Sequence, residues 1–362
     1  MILTADSLAY YLLERGLVST ASAVDGDLLI VDSTSRNRNF KVIRKHQPGY
    51  FVKQIQPSDP QAGGFLQREA SCYWRASHDP GFSSLAPLVP TFHLYDSRRQ
   101  ILVVELLQGG ENLAEYHRRL GVFPLPVAAR IGELLATYHS ISLSTPEISS
   151  ATPFPRTVPW ILSAHQLAGS PLQTIGGANT QILGLIHRYS DFHGHLDALR
   201  EQWRFDCFIH GDMKWENCII SAHAGDMQVK LIDWETADIG DAAWDVGAIF
   251  QAYLTFWIMS IPIRSDASLD QLLELAPYPI EAMQPAIRAF WLAYAERRQL
   301  AVGQRRELLT RSAGYAAARM LQTAYEYMYY SPQVTLNALA LLQVSLNILA
   351  DPSTAVSELL SL

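Results

Sequence analysis

The chain has 362 residues, 49% of them hydrophobic and 17% charged, and a formal net charge of −7. That length exceeds one compact core and fits two lobes, while the acidic balance argues against non-specific nucleic-acid binding. The three cysteines, Cys72, Cys207 and Cys218, show neither metal-ligand spacing nor an even-numbered disulfide framework, so they read as buried thiols of a cytoplasmic protein.

The N-terminus lacks the basic start and long apolar core of a signal peptide, and residues 5–15 read as a short helix. Three strands are predicted next, at Leu28 to Val31, Phe40 to Ile43 and Tyr50 to Ile55. The second and third are separated by a turn holding Lys45, Pro48 and Gly49. Lys53 sits inside the third, where a buried ammonium is costly unless an anion meets it. Gly63 to Ser77 reads as a helix and Ile101 to Glu105 as a further strand. After Gly109-Gly110, helical periodicity dominates. The expected division is a small β-rich unit at 1–105, a hinge at 106–110 and a helical unit at 111–362.

Two apolar strands, Cys218 to Ile220 and Val229 to Ile232, flank a turn from Ala222 to Asp226 and predict a hairpin. It would bring Asn217 at one end close to Asp233 at the other. Asp212 precedes it in Phe208-Ile209-His210-Gly211-Asp212-Met213-Lys214-Trp215-Glu216-Asn217. Phosphoryl transfer from Mg-ATP to a hydroxyl needs these groups: one carboxylate to receive the hydroxyl proton, and hard oxygens to hold Mg²⁺. Asp212 is the candidate base, Asn217 and Asp233 the candidate metal ligands. Lys214 would stabilise developing negative charge, and His210 reads as a brace of the turn. The uncharged run from Val246 to Ile263 approaches membrane-spanning length. Its Gln251, Thr255, Ser260 and Pro262 favour a buried helix, so no membrane span is expected.

His-Gly-Asp-x-x-x-x-Asn, then Ile232-Asp233-Trp234-Glu235, then Gly240-Asp241-Ala242-Ala243-Trp244-Asp245 resembles the aminoglycoside phosphotransferase and choline kinase superfamily. The resemblance implies an α+β, bilobal protein-kinase-like fold with a small antiparallel-sheet lobe and a larger, mostly helical lobe. It implies ATP and Mg²⁺ as cofactors, Asp212 as base, Asn217 and Asp233 as metal ligands, and Asp241 and Asp245 as supports of the catalytic loop. By the same likeness Lys53 meets the ATP phosphates and a carboxylate on the following helix, best supplied by Glu69. Glu105 and Leu107 would meet the nucleotide at the hinge. The glycine-rich phosphate loop of protein kinases is missing. In its place stands Ser33-Thr34-Ser35-Arg36-Asn37-Arg38-Asn39, where Ser35, Arg36 and Arg38 could clamp phosphate or hold an acidic substrate.

The acceptor is less determined. A polycationic aminoglycoside would want an acidic pocket, for which Glu235, Asp238 and Asp241 are the nearest source. The distal tyrosines Tyr315, Tyr325, Tyr327, Tyr329 and Tyr330 could line a ring or peptide site, although helix-core packing also accounts for them. Two acceptor classes follow: a hydroxyl-bearing small molecule, or Ser/Thr of a ribosomally made, lanthipeptide-type precursor peptide whose phosphate a partner lyase later removes. A nucleotide-binding pseudokinase is the non-catalytic alternative. Retention of Lys53, Asp212, Asn217 and Asp233 speaks against it.

Overall fold

The computed structural model describes residues 2–34, 37–55, 60–143, 154–166, 177–223, 226–262 and 275–362. Contacts divide the chain into two compact units. The first takes the described residues of Met1–Tyr116 and Glu216–Ala237, with Phe154; the second takes those of His117–Leu143, Pro155–Trp215 and Asp238–Leu362. The break therefore falls after Tyr116 rather than at 106–110, and the hairpin after Asn217 joins the first unit. The cause is a short strand just past the expected hinge, Glu111–Asn112, which pairs with Ile219 and Ile220 of that hairpin.

In the first unit, helix α1 (Ala5–Glu14) starts at a capping box in which Thr4 and Ser7 satisfy each other's backbone N–H groups. Strands β1 (Leu28–Asp32), β2 (Arg38–Arg44), β3 (Tyr50–Gln54), β4 (Phe92–Asp96) and β5 (Ile101–Glu105) form an antiparallel sheet in the order β1-β2-β3-β5-β4. Side chains alternate across a strand. One face of the sheet thus presents Phe40, Val42, Tyr50, Val52, Ile101 and Val103, which bury with Leu8, Tyr11 and Leu12 of α1. The period of two sends Lys53 to the opposite face, and helix α2 (Pro60–His78) carries the carboxylate that meets it.

Strand β4 was not expected from the sequence. Its residues Phe92 to Tyr95 are all half-buried, and its register with β5 is interrupted between Phe92 and Leu94. A bulged edge strand has no clean alternation to read. Strand β6 (Glu111–Asn112) leads to the hairpin of β8 (Cys218–His223) and β9 (Asp226–Leu231), with Cys218 opposite Leu231.

In the second unit, β7 (Cys207–Ile209) pairs antiparallel with β10 (Asp238–Gly240). The helices that follow or surround this pair include α3 (Leu125–His139), α4 (Ala242–Ser260), α5 (Ile280–Arg297) and α6 (Val302–Tyr327). The apolar run is the core helix α4, whose Gln251 donates to Thr255 at 2.8 Å and Thr323 at 3.1 Å. Gly247 lets α4 press on α6: a Cβ there would lie 2.5 Å from the Ser312 carbonyl oxygen. No single helix among the described residues is long and apolar enough to cross a membrane.

Candidate active site

In the first unit the Lys53 ammonium donates to Glu69 Oε2 at 2.8 Å, Asp233 Oδ1 at 2.8 Å and Glu235 Oε2 at 3.0 Å. Lys53 and Glu69 are buried, whereas Asp233 and Glu235 are half-buried. Burial opposes the Lys53 charge, but the carboxylates of Glu69, Asp233 and Glu235 outweigh it and hold the ammonium well above its usual range. Burial also pushes the Glu69 carboxyl up to about 7, against the pull of Lys53 and with the repulsion of Asp233. A single cation shared by three carboxylates leaves the cluster with an excess of negative charge, which adds to burial in raising Glu69 and overcomes burial in keeping Lys53 charged.

Three elements build this cluster. Strand β3 holds Lys53, α2 holds Glu69, and the turn after β9 holds Asp233 and Glu235. Asp233 adopts φ 65° and ψ 52°, a left-handed conformation that a non-glycine residue enters only when its surroundings hold it there. Its N–H donates to the Tyr73 hydroxyl at 3.2 Å, and that hydroxyl donates to Glu69 Oε1 at 3.3 Å. Asn217 is buried at the opposite strand end, its carbonyl accepting the Ile232 N–H at 3.0 Å. The hairpin register therefore brings Asn217 beside the segment that carries Asp233.

Glu69, Asp233 and Glu235 each offer an oxygen within 4.8 Å of the others. Hard oxygens in excess over one ammonium suit Mg²⁺ chemically, so these residues fit the ion that the sequence implies. Glu235 is an addition: its place two residues after Asp233 is the available signal, whereas the sequence alone offers it as acidity for an acceptor pocket.

The remaining nucleotide candidates fare differently. Glu105 Oε2 accepts from Thr91 N–H at 3.0 Å, Thr91 Oγ1 at 2.9 Å and Lys230 Nζ at 2.9 Å. Burial raises the Glu105 carboxyl, but Lys230 and Thr91 outweigh it and leave it below its usual value. Its side chain thus ties β5 to β9. The Leu107 carbonyl accepts the Gly110 N–H at 3.3 Å, closing the turn after β5. Arg38 donates to the Leu3 carbonyl at 3.2 Å, on the side of the chain entering α1. Ser35 and Arg36 lie outside the described residues.

In the second unit the turn after β7 carries Asp212. Gly211 has φ 81°, which only glycine adopts cheaply. Asp245 holds this turn: Oδ2 accepts the His210 N–H at 2.7 Å and Oδ1 the Gly211 N–H at 3.0 Å. The same Oδ2 accepts from Tyr138 at 2.8 Å and lies 3.3 Å from His139 Nε2. Burial keeps His139 below its usual pKa, so its neutral ring donates Nε2–H to Asp245. Asp241 caps α4 and receives Arg311, and Asp238 accepts the N–H groups of Arg156 and Thr157. Asp241 and Asp238 are thus used structurally and supply no acidic acceptor pocket.

Asp212 accepts from Lys214 Nζ at 2.6 Å and from Arg319 Nη2 at 3.1 Å. Burial would raise its carboxyl, but Lys214 and Arg319 hold it well below the usual carboxylate range. Arg319 was missed by sequence reasoning, because its contact spans from α6 to a turn far away in the chain. The distal tyrosines divide: Tyr315 and Tyr325 are buried, Tyr327 and Tyr330 exposed. The Tyr315 hydroxyl is spent on Leu199 O and Asp241, and Tyr325 sits edge-on to Trp160.

The sequence model of the Phosphotransferase enzyme family matches residues 27–318. The chain belongs to that family. Solved structures carry the same fold at low identity. A choline kinase from Cryptosporidium parvum Iowa II aligns with TM-score 0.57 and 10% identity, covering 94% of each chain. A microcompartment-associated aminopropanol kinase aligns with TM-score 0.53 and 14% identity, covering 98% of each. The streptomycin–ATP–APH(2")-IIa ternary complex aligns with TM-score 0.51 and 13% identity, covering 96% of this phosphotransferase-family chain and 99% of the other. No curated protein matches the chain.

Proposed function

We propose that the chain transfers the γ-phosphoryl group of Mg-ATP to the hydroxyl of a small molecule. The observation that carries this reading is Lys53 bound at once to Glu69, Asp233 and Glu235. A buried ammonium beside an anionic, oxygen-rich turn suits a triphosphate and its divalent cation. Asp233, Glu235 and Asn217 are the residues that would hold Mg²⁺, which supplies neutralisation of phosphate charge when bound. Lys53 would orient the phosphates, with Glu69 and Tyr73 fixing its position.

Asp212 then acts on the acceptor. The acceptor hydroxyl gives its proton to an Asp212 oxygen as its own oxygen bonds to the γ-phosphorus. The bond from that phosphorus to the β-bridging oxygen breaks, and ADP leaves with the electron pair. With a carboxylate held ionised by two cations, Asp212 chiefly positions the hydroxyl and takes up the proton late.

A small-molecule acceptor accords with structures of the same fold whose names specify choline, aminopropanol and streptomycin. The peptide reading, with its partner lyase, rests on the basic loop Ser33 to Asn39 and on the distal tyrosines, and burial of Tyr315 and Tyr325 weakens the second of these supports. Completeness of Lys53, Asp212, Asn217 and Asp233 argues for catalysis over a pseudokinase role. Buried Cys72, Cys207 and Cys218, none of them in a disulfide, accord with a reducing compartment such as the cytoplasm.

The test incubates the protein with Mg-ATP and choline, 1-amino-2-propanol, streptomycin and a Ser/Thr peptide panel, with mass spectrometry of products. Phosphorylation of a small hydroxyl by the wild type, lost in Asp212→Asn, supports the reading. Phosphopeptide as the sole product replaces it with the peptide reading. Full transfer by Asp212→Asn removes the assigned base.

A further inference from the structure

Arg319 lies on α6 beyond Ala316-Ala317-Ala318, and it is buried. Its guanidinium meets three consecutive residues of the catalytic turn. Nη1 donates to the Gly211 carbonyl at 3.2 Å, while Nη2 donates to Asp212 Oδ1 at 3.1 Å and to the Met213 carbonyl at 3.3 Å. The guanidinium carbon stands over the Trp244 ring, 4.9 Å from its centroid, and Trp244 Nε1 in turn donates to the Gly211 carbonyl at 2.7 Å. A rigid fork held over an indole cannot swing without losing these contacts.

Lys214 contrasts with it. It binds the other oxygen, Asp212 Oδ2, at 2.6 Å, and 39% of its side chain is exposed. A flexible, hydrated ammonium can leave that oxygen at little cost. Asp212 Oδ1 thus meets a held guanidinium, and Oδ2 a partly exposed ammonium.

We propose that Arg319 is the positioning residue of the catalytic turn, holding Asp212 Oδ1 so that Oδ2 is the oxygen presented to the acceptor hydroxyl. This rests on the reading of Asp212 as the base. In the reaction the hydroxyl displaces Lys214 from Oδ2, its proton passes to Oδ2, and its oxygen forms the new bond to phosphorus as ADP departs. Arg319 touches neither reactant. It keeps the carboxylate plane fixed and its charge in place until the proton moves. Charged and titratable groups face Asp212 from two directions: Lys214 and His210 from its own turn, and Arg319 from α6.

A brace acting only on the turn's backbone carbonyls would leave the Asp212 titration nearly unaltered, whereas a guanidinium held on Oδ1 must shift it, so that titration is the test. Protein carrying ¹³C-labelled aspartate side chains is followed by NMR against pH, and the Asp212 signal is identified by its loss in Asp212→Asn. In the wild type the signal should stay ionised to below the ordinary aspartate value of about 4. In Arg319→Gln its midpoint should rise by about one pH unit or more, with the circular dichroism spectrum retained. An unchanged midpoint overturns the proposal.

If the glutamine variant does not fold, Arg319→Lys carries the test through ATP turnover with water as acceptor, read as phosphate release. A lysine keeps the charge but cannot span three residues. Turnover should fall on the order of tenfold or more, with KM for ATP unchanged; equal turnover overturns the proposal. Intact turnover in Asp212→Asn would instead remove the base assignment, while the NMR titration still reports on Arg319.

Discussion

The Tyr73 hydroxyl accepts the Asp233 N–H at 3.2 Å and so fixes the one left-handed residue among the charged side chains around Lys53. The same oxygen donates to Glu69 at 3.3 Å, four residues earlier on α2. One phenol therefore sets both a partner of Lys53 and the backbone of a candidate metal ligand. Burial, with the neighbouring Glu69 and Asp233 charges, keeps it protonated by raising it well above the usual tyrosine range. Tyr73→Phe keeps the ring and removes both bonds. Unfolding free energy should fall by about 1–2 kcal/mol, and Mg-ATP affinity in calorimetry should weaken several-fold. Wild-type values for both would remove Tyr73 from the site.

Glu235 supplies an oxygen that the sequence reading did not assign to the metal. Glu235→Gln retains size and removes charge. The Mg²⁺ concentration giving half-maximal ATP binding should rise roughly tenfold or more, on the scale seen when groups supporting a metal are replaced. A midpoint shared with the wild type would mean Glu235 only balances Lys53.

His117 is a buried ring wedged between Phe123 and Trp215, with centroids at 4.8 and 4.7 Å. Burial lowers it to about 4, only partly opposed by its bond with the Val122 carbonyl. Its folded pKa is depressed below the unfolded value near 6.5. The unfolded chain therefore binds the extra proton between those values, and stability rises with pH there. This contribution is complete above about 6.5 and disappears as pH falls through about 4, a span worth on the order of 3 kcal/mol. His117→Phe should flatten that segment of the curve of thermal midpoint against pH. Parallel curves for the two proteins would refute the assignment.

Gly211 takes φ 81° with its N–H on Asp245 and its carbonyl on Trp244 and Arg319. Gly211→Ala puts a Cβ where L-residues are strained by about 1–2 kcal/mol. The urea midpoint should drop accordingly and phosphoryl transfer should fall with it, because Asp212 is the next residue. Unaltered transfer at reduced stability would show that the turn tolerates the shift.

Much of the fold could be read from local pattern. Helix 5–15, the strands around Phe40, Tyr50 and Ile101, and the hairpin after Asn217 follow from period-two or helical spacing, and each forms within a few residues of its expected bounds. The pairing of Lys53 with Glu69 also stands as expected. Strand β4 escaped because a bulged, half-buried edge carries no alternation. The unit boundary escaped because β6 is two residues long and takes its meaning from a partner strand far along the chain.

The sequence by itself determined the family and the local elements: Asp212, Asn217 and Asp233 lie in one short stretch whose spacing is set by a turn and a hairpin. Tertiary structure decided who stands around them. Arg319, Tyr73 and Glu235 reach their partners through side chains brought together by helix and strand packing. Such contacts follow no period along the chain, so no local pattern announces them. The occupation of Glu105 by Lys230, and the burial of Tyr315 and Tyr325, were decided in the same way.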